Sequence, residues 1–279
     1  MTALLPPSAP TTTSPTTSRA NVLGRFSYAL TFIAGAAAGM ALLALALSFT
    51  GDSDATTTPA SCTFPPYDAG STVAGPTVTT GQGAAPLSAQ ARTVIGESVV
   101  EVHTKVCFKS GSTLETGGTG VIVSNGPPWR VLTAAHVVDA RQWEAVESVE
   151  VTVRRAGSFS SNFEPAKVTN IAQDADIAEL EVQLEAGVVW QSSTVPATRV
   201  SAKQGDTLAF LCFYERSFRS GAVINTVSRA GGVPAHELNV GSGLGCSGAG
   251  AITPDGALAG IVIQSNSDVT RVSDIAGLR

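Results

Sequence analysis

Beyond residue 88 the chain alternates short apolar runs with turn-forming clusters. After a short helical stretch around Ser88 to Ile95, these runs fall at Ser98–Lys105, Gly120–Ser124, Trp129–Thr133, Ser148–Arg154, Ala178–Leu184, Thr207–Phe213, Gly221–Val227 and Leu258–Gln264. Runs of this length, rich in β-branched residues and bounded by Gly, Pro, Asn and Asp, predict strands. Asn125-Gly126-Pro127-Pro128 and Pro254-Asp255-Gly256 punctuate them as turns. Many short strands without a sustained helical period predict an all-β fold, either barrels or a sandwich.

The first part of the chain reads differently. Residues 1–25 are rich in Pro, Thr and Ser and have no apolar periodicity, which predicts a disordered tail. Residues 26–49, Phe26 to Phe49, form an apolar run without a charged residue, long enough to cross about 30 Å of hydrocarbon as a transmembrane helix. The run is longer than the roughly 7–15 residues of a signal h-region, which favours an anchor. Ala46-Leu47-Ser48 offers a small-x-small cleavage site, and the alternative is therefore a secreted protein. Arg19 and Arg25 precede the run and no Lys or Arg follows it until Arg92, so the positive-inside rule predicts a cytoplasmic N-terminus and an extracytoplasmic remainder. Residues 50–88, dominated by Thr, Pro, Gly, Ser and Ala, predict a flexible linker to a domain spanning 89–279.

Composition narrows the function. Charged residues make up 14% of the chain and the net charge is −5, so no basic field exists to hold a nucleic acid. With 28 Gly and 15 Pro against an aromatic share of 6%, the balance suits a turn-rich β fold. The four cysteines, Cys62, Cys107, Cys212 and Cys246, have no zinc-type spacing, and neither a metal nor a cofactor is implied.

Three segments carry candidate chemistry. His136 follows an apolar strand in Val131-Leu132-Thr133-Ala134-Ala135-His136-Val137-Val138, and imidazole can take and return a proton near neutrality. Asp174 and Asp176 stand in Asp174-Ala175-Asp176-Ile177-Ala178, and either is a candidate acid to orient that imidazole. Ser247 lies in Gly241-Ser242-Gly243-Leu244-Gly245-Cys246-Ser247-Gly248-Ala249-Gly250, where glycines let the backbone approach a substrate carbonyl closely. The amides flanking such a serine can point together at an oxyanion.

Thr-Ala-Ala-His after an apolar strand, Asp-Ile-Ala opening a later one, and a Gly-x-Ser-Gly loop before a final strand occur here in that order. The chain thereby resembles the chymotrypsin-like serine proteases, and the Val137-Val138 pair and the closing Val272-Ser273-Asp274 resemble the HtrA-type branch without a PDZ module. The resemblance spans about Glu97 to Arg279. It implies two antiparallel six-stranded β-barrels preceded by the transmembrane helix, and an endopeptidase acting on proteins or peptides. It selects Asp176 over Asp174, implying a His136, Asp176, Ser247 triad with the N–H groups of Gly245 and Ser247 as oxyanion hole. Gly241, Ser242 and Ser265 would line the primary substrate pocket, with no fixed charge to favour Lys or Arg.

Two departures from the family pattern stand out. Ala249 and Gly250 replace the Gly-Pro that usually follows Ser-Gly, so the alternative is a degenerate, non-catalytic binding module on the same fold. Cys246 replaces the Asp or Asn before the serine, which removes the acid that pairs with a new N-terminus in secreted digestive relatives. In the fold that the resemblance implies, Cys212 runs beside the serine loop. The expected pairs are Cys212 with Cys246 and Cys62 with Cys107, one of three connectivities that an extracytoplasmic compartment permits.

Overall fold

In the computed structural model, which describes residues 77–124, 126–155, 163–184, 190 and 198–276, the apolar runs close into two barrels. All described residues belong to one unit, Pro59–Arg279. It opens with β1 (Thr77–Thr80) and α1 (Ala89–Ser98). Six strands follow: β2 (Val99–Phe108), β3 (Thr113–Ile122), β4 (Trp129–Ala134), β5 (Val146–Arg155), β6 (Glu164–Ala172) and β7 (Ile177–Val182). They close antiparallel in the order β2-β3-β4-β7-β6-β5, with a four-residue helix, α2 (Ala135–Val138), after β4. The second barrel comprises β8 (Thr207–Cys212), β9 (Ser217–Ser228), β10 (Pro234–Leu238), β11 (Gly250–Ile252), β12 (Leu258–Ser265) and β13 (Thr270–Asp274). Their order is β9-β10-β13-β12-β11-β8, closed by the pairing of β8 with β9, and β1 joins β9 in parallel as a seventh strand.

Residues two apart along each strand explain three separate cores. Val100 and Val102 of β2, Val151 and Val153 of β5, and Leu180 and Val182 of β7 fill the first barrel. Leu208, Phe210 and Cys212 of β8, with Val262 and Val272, fill the second. Residues of the opposite parity meet between the barrels: Val99, Val121, Leu132 and Ile177 from the first, and Leu211, Ile252 and Ile261 from the second. Ala91 and Ile95, one turn apart on α1, cover this layer. Ser88 caps α1 by accepting the Ala91 N–H at 3.0 Å.

Several strands carry no apolar alternation that a sequence reading detects. β6 buries only Glu164, β11 is three residues long, and β10 begins at Pro234 and buries His236. β13 buries Thr270, Ser273 and Asp274. β1 falls inside the stretch expected to be a flexible linker. Its β-branched Thr-Val-Thr-Thr pairs Thr77 with Ser217 and Thr79 with Arg219, and Gly81 N–H continues the ladder to Ser220 O at 2.6 Å. Among the described residues no helix is long and apolar enough to cross a membrane, and the candidate span Phe26–Phe49 lies outside them.

His236 of β10 and Asp274 of β13 share a buried polar cluster. His236 Nε2 donates to Asp274 Oδ2 at 3.2 Å, Ser201 Oγ donates to the same oxygen at 2.5 Å, and Ala276 N–H donates to Oδ1 at 2.6 Å. Burial pushes the Asp274 carboxyl up, but the bonds from His236, Ser201 and Ala276 outweigh it and hold it below its ordinary value of 3.8. A group whose pKa falls on folding stabilises the protein above its unfolded pKa and stops doing so as pH drops through the folded value. Asp274→Asn is therefore expected to lower the melting temperature at neutral pH, with the gap from wild type closing below about pH 4. Thermal melts of both proteins between pH 7 and pH 2 check this, and a gap of constant size would contradict it.

Candidate active site

The register of the first barrel places an acid beside an imidazole. β4 and β7 pair Ala134 with Ile177, so Asp176, just before β7, lies against Ala135 and His136 just after β4. Asp176 has φ 55 and ψ 45, a left-handed conformation that Asp adopts more readily than most residues. This turn lets it make three contacts with α2. Its carbonyl accepts the Ala135 N–H at 3.0 Å, Oδ1 accepts the His136 N–H at 2.9 Å, and Oδ2 accepts His136 Nδ1–H at 2.9 Å. The imidazole is thus held with Nδ1 protonated and Nε2 free to accept. Gln142 Nε2 donates to His136 O at 2.7 Å, and Gln173 Nε2 ties Asp139 to the turn before Asp176 at 2.5 Å. Asp174, the rival acid, lies instead against Gly231 of the second barrel, where a Cβ on that glycine would meet its carboxylate.

The serine loop, between β10 and β11, is gripped from the first barrel by Thr119 of β3. Thr119 N–H donates to Ser247 O at 2.8 Å. Thr119 Oγ1 donates to Gly245 O at 2.7 Å and accepts the Phe213 N–H at 3.1 Å. A Cβ on Gly118 would stand 2.7 Å from Ser247 O and 2.9 Å from Val137 Cγ2, so the serine backbone and the residue after His136 converge on one glycine. Among the described residues, no hydrogen bond joins Ser247 Oγ to His136 Nε2. The N–H groups of Gly245 and Ser247 likewise donate to no acceptor among those residues. Hydrogen bonds of this kind are frequently long in unliganded enzymes and tighten with substrate.

Cys212 and Cys246 form a disulfide that fixes the residue before Ser247 to the end of β8. Cys107 is also disulfide-bonded, and Cys62, its expected partner, lies outside the described residues. The departures after Ser247 have local reasons. Ala249 is fully buried, its N–H reaching Cys246 O at 3.0 Å and its carbonyl accepting Val262 N–H at 2.9 Å. Gly250 faces Val121, whose atoms stand 2.9 Å from where a Cβ would lie, so neither a side chain nor a proline ring fits unless Val121 shrinks.

Gly241, Ser242 and Ser265, the expected pocket residues, lie close together. Ser242 is buried, and its N–H donates to Asn266 O at 3.1 Å. Gly241 packs on the Asn266–Ser267 backbone, immediately after Ser265. Ser265 pairs with Thr270, whose Oγ1 lies 3.3 Å from Ser242 Oγ. Thr270, which contacts Ser242, has no sequence signal, because β13 has no apolar pattern. Thr119 and Gln142 also escaped sequence reading, being ordinary polar residues until the fold brings them to the site.

Two antiparallel six-stranded barrels of this connectivity have the architecture of the trypsin-like serine proteases. A family model described as the trypsin-like peptidase domain matches residues 118–261, just over half of the chain, and the chain belongs to that family. Among solved structures it is similar to the serine endoprotease from Yersinia pestis, with TM-score 0.50 and 20% identity over 69% of this chain and 64% of that one. It is also similar to the Rv3671c protease of M. tuberculosis in its active form, with TM-score 0.49 and 19% identity over 77% and 92% of the two chains. The chain thus spans less than two thirds of the Yersinia enzyme, and identities this low speak for fold alone. No curated protein matches the sequence.

Proposed function

We propose that this protein is a serine endopeptidase that cleaves peptide bonds through Ser247, His136 and Asp176, held outside a membrane by Phe26–Phe49. The double clasp of Asp176 on His136, one oxygen on the main-chain N–H and the other on Nδ1, carries the reading. It leaves Nε2 as a base. Ser247 Oγ attacks the scissile carbonyl while its proton passes to Nε2, and Asp176 stabilises the resulting imidazolium without taking a proton. The new alkoxide receives hydrogen bonds from the N–H groups of Gly245 and Ser247. As the C–N bond breaks, His136 returns the proton to the leaving amine. Water, activated by the same histidine, then releases the acyl group.

The polar, uncharged wall of Ser242, Ser265 and Thr270 favours neutral side chains at the primary position over Lys or Arg. An oxidising compartment fits the disulfide and the predicted orientation of the anchor. A fluorophosphonate probe tests the activity. The folded protein is expected to take up one probe per chain, on the peptide containing Ser247. A well-folded chain that takes up none would favour the degenerate binding module instead.

A further inference from the structure

Cys246 occupies the place where the family pattern has Asp or Asn before the serine, yet the loop that bears Gly245 has an acidic support. It comes from the turn Phe213–Arg216 between β8 and β9. Glu215 Oε2 accepts Ser217 Oγ at 3.0 Å and Arg219 Nη2 at 2.8 Å, which fixes the carboxylate on β9. Its other oxygen, Oε1, stands against Gly243, in the space that a Cβ on that residue would occupy. The neighbouring Tyr214 ring lies under Gly245, whose Cβ would stand 2.5 Å from Tyr214 Cδ2. The Glu215 carboxylate also lies within 4.8 Å of both sulfurs of the Cys212–Cys246 bond.

We infer that Glu215 is a positioning residue that holds the 243–245 segment of the serine loop so that the Gly245 N–H faces the oxyanion. This inference rests on the peptidase reading. Burial pushes the Glu215 carboxyl up, but Arg219, Ser217 and the Gly243 N–H together hold it below its ordinary value of 4.5, so it is a carboxylate at neutral pH. An anion in this place orients the loop amides electrostatically as well as filling space. Gly243 is a glycine because any side chain there displaces the carboxylate. The brace also reaches the N-terminal segment. β1 pairs with β9 at Ser217 and Arg219, the two residues that hold Glu215, so the strand leading in from the linker buttresses the oxyanion loop. This arrangement assigns to an internal glutamate the support that a new N-terminus gives when an acid precedes the serine.

The test compares wild type, Glu215→Ala, Glu215→Gln and Gly243→Ala, together with the double variant of Glu215→Ala and Gly243→Ala. Glu215→Ala is expected to lower kcat on a fluorogenic peptide by about 10- to 100-fold, since misplacing one oxyanion donor by an ångström costs on that order. KM is expected to stay within about threefold, because the loss falls on the transition state rather than on substrate binding. Glu215→Gln keeps an oxygen toward Gly243 but loses the anion and turns its NH₂ to the Arg219 guanidinium, so it is expected to recover only part of kcat. Gly243→Ala is expected to cost as much as Glu215→Ala in the wild type and almost nothing in the double variant, which marks one shared interaction. Amide hydrogen exchange over residues 241–246 is expected to accelerate in Glu215→Ala whether or not the protein turns over substrate. A wild type that fluorophosphonate labels, with unchanged kcat and exchange in Glu215→Ala, would overturn the brace and leave the peptidase reading intact. A wild type that takes no label, with faster exchange in Glu215→Ala, would overturn the peptidase reading and leave the brace.

Discussion

Ser247→Ala and His136→Ala are each expected to lower kcat by about 10⁶, and the double variant no further, because residues that act as one unit do not add. Asp176→Asn is expected to cost about 10⁴ in kcat with little change in melting temperature. The carboxylate offers one oxygen to the His136 N–H and one to Nδ1–H, and each is an acceptor. An asparagine has one oxygen and one NH₂, so one of the two contacts becomes donor against donor. Turning the oxygen toward the main-chain N–H leaves the NH₂ facing Nδ1, which then must be the unprotonated nitrogen. The proton moves to Nε2, where it blocks acceptance from Ser247. The fold is spared because Asn tolerates the left-handed backbone of residue 176 as well as Asp does. Kinetics on a fluorogenic peptide, with melts of each variant, check the pair of expectations. A loss in Asp176→Asn matched by a fall in stability would point to unfolding instead.

How far the sequence carries such an argument differs between elements. Strands with apolar residues two apart, such as β2, β4, β8 and β12, are legible because their periodicity records two buried faces, one inside a barrel and one between barrels. β6 and β13 are not legible: the first buries only Glu164, and the second buries Thr270 and Asp274, polar groups that only their partners make tolerable inside. The histidine and serine segments can be read because their chemistry imposes local residue types. Asp176 needed the family pattern, since nothing local distinguishes it from Asp174. The register of β4 with β7 makes the distinction, turning Asp176 to His136 while Asp174 meets Gly231. Thr119 and Glu215 are legible only in three dimensions. Each grips the serine loop from a part of the chain whose own sequence has no signature.

Gly248→Ala is expected to destabilise the domain by about 4 kcal/mol and to abolish turnover, from a left-handed residue costing about 1–3 kcal/mol and overpacking costing a similar amount. Gly248 has φ 92, and its Cβ would fall on the Thr119 carbonyl oxygen and close to Thr133 Oγ1. Neither atom can retreat. Thr133 Oγ1 donates to Thr119 O at 2.8 Å, and Thr119 N–H is engaged by Ser247 O at 2.8 Å, so the clash lies within the hydrogen bonds that join the serine loop to the first barrel. Ala249, one residue later, has a methyl that the second barrel accommodates in full burial. The two neighbours therefore make a matched comparison. Ala249→Gly is expected to cost about 1 kcal/mol or less through added chain entropy and to leave kcat within a few fold. Chemical denaturation with kinetics on each variant separates the outcomes. A Gly248→Ala protein as stable and active as wild type would mean that the serine loop does not lie on Thr119 as described, and the proposed reach of His136 to Ser247 would lose its support.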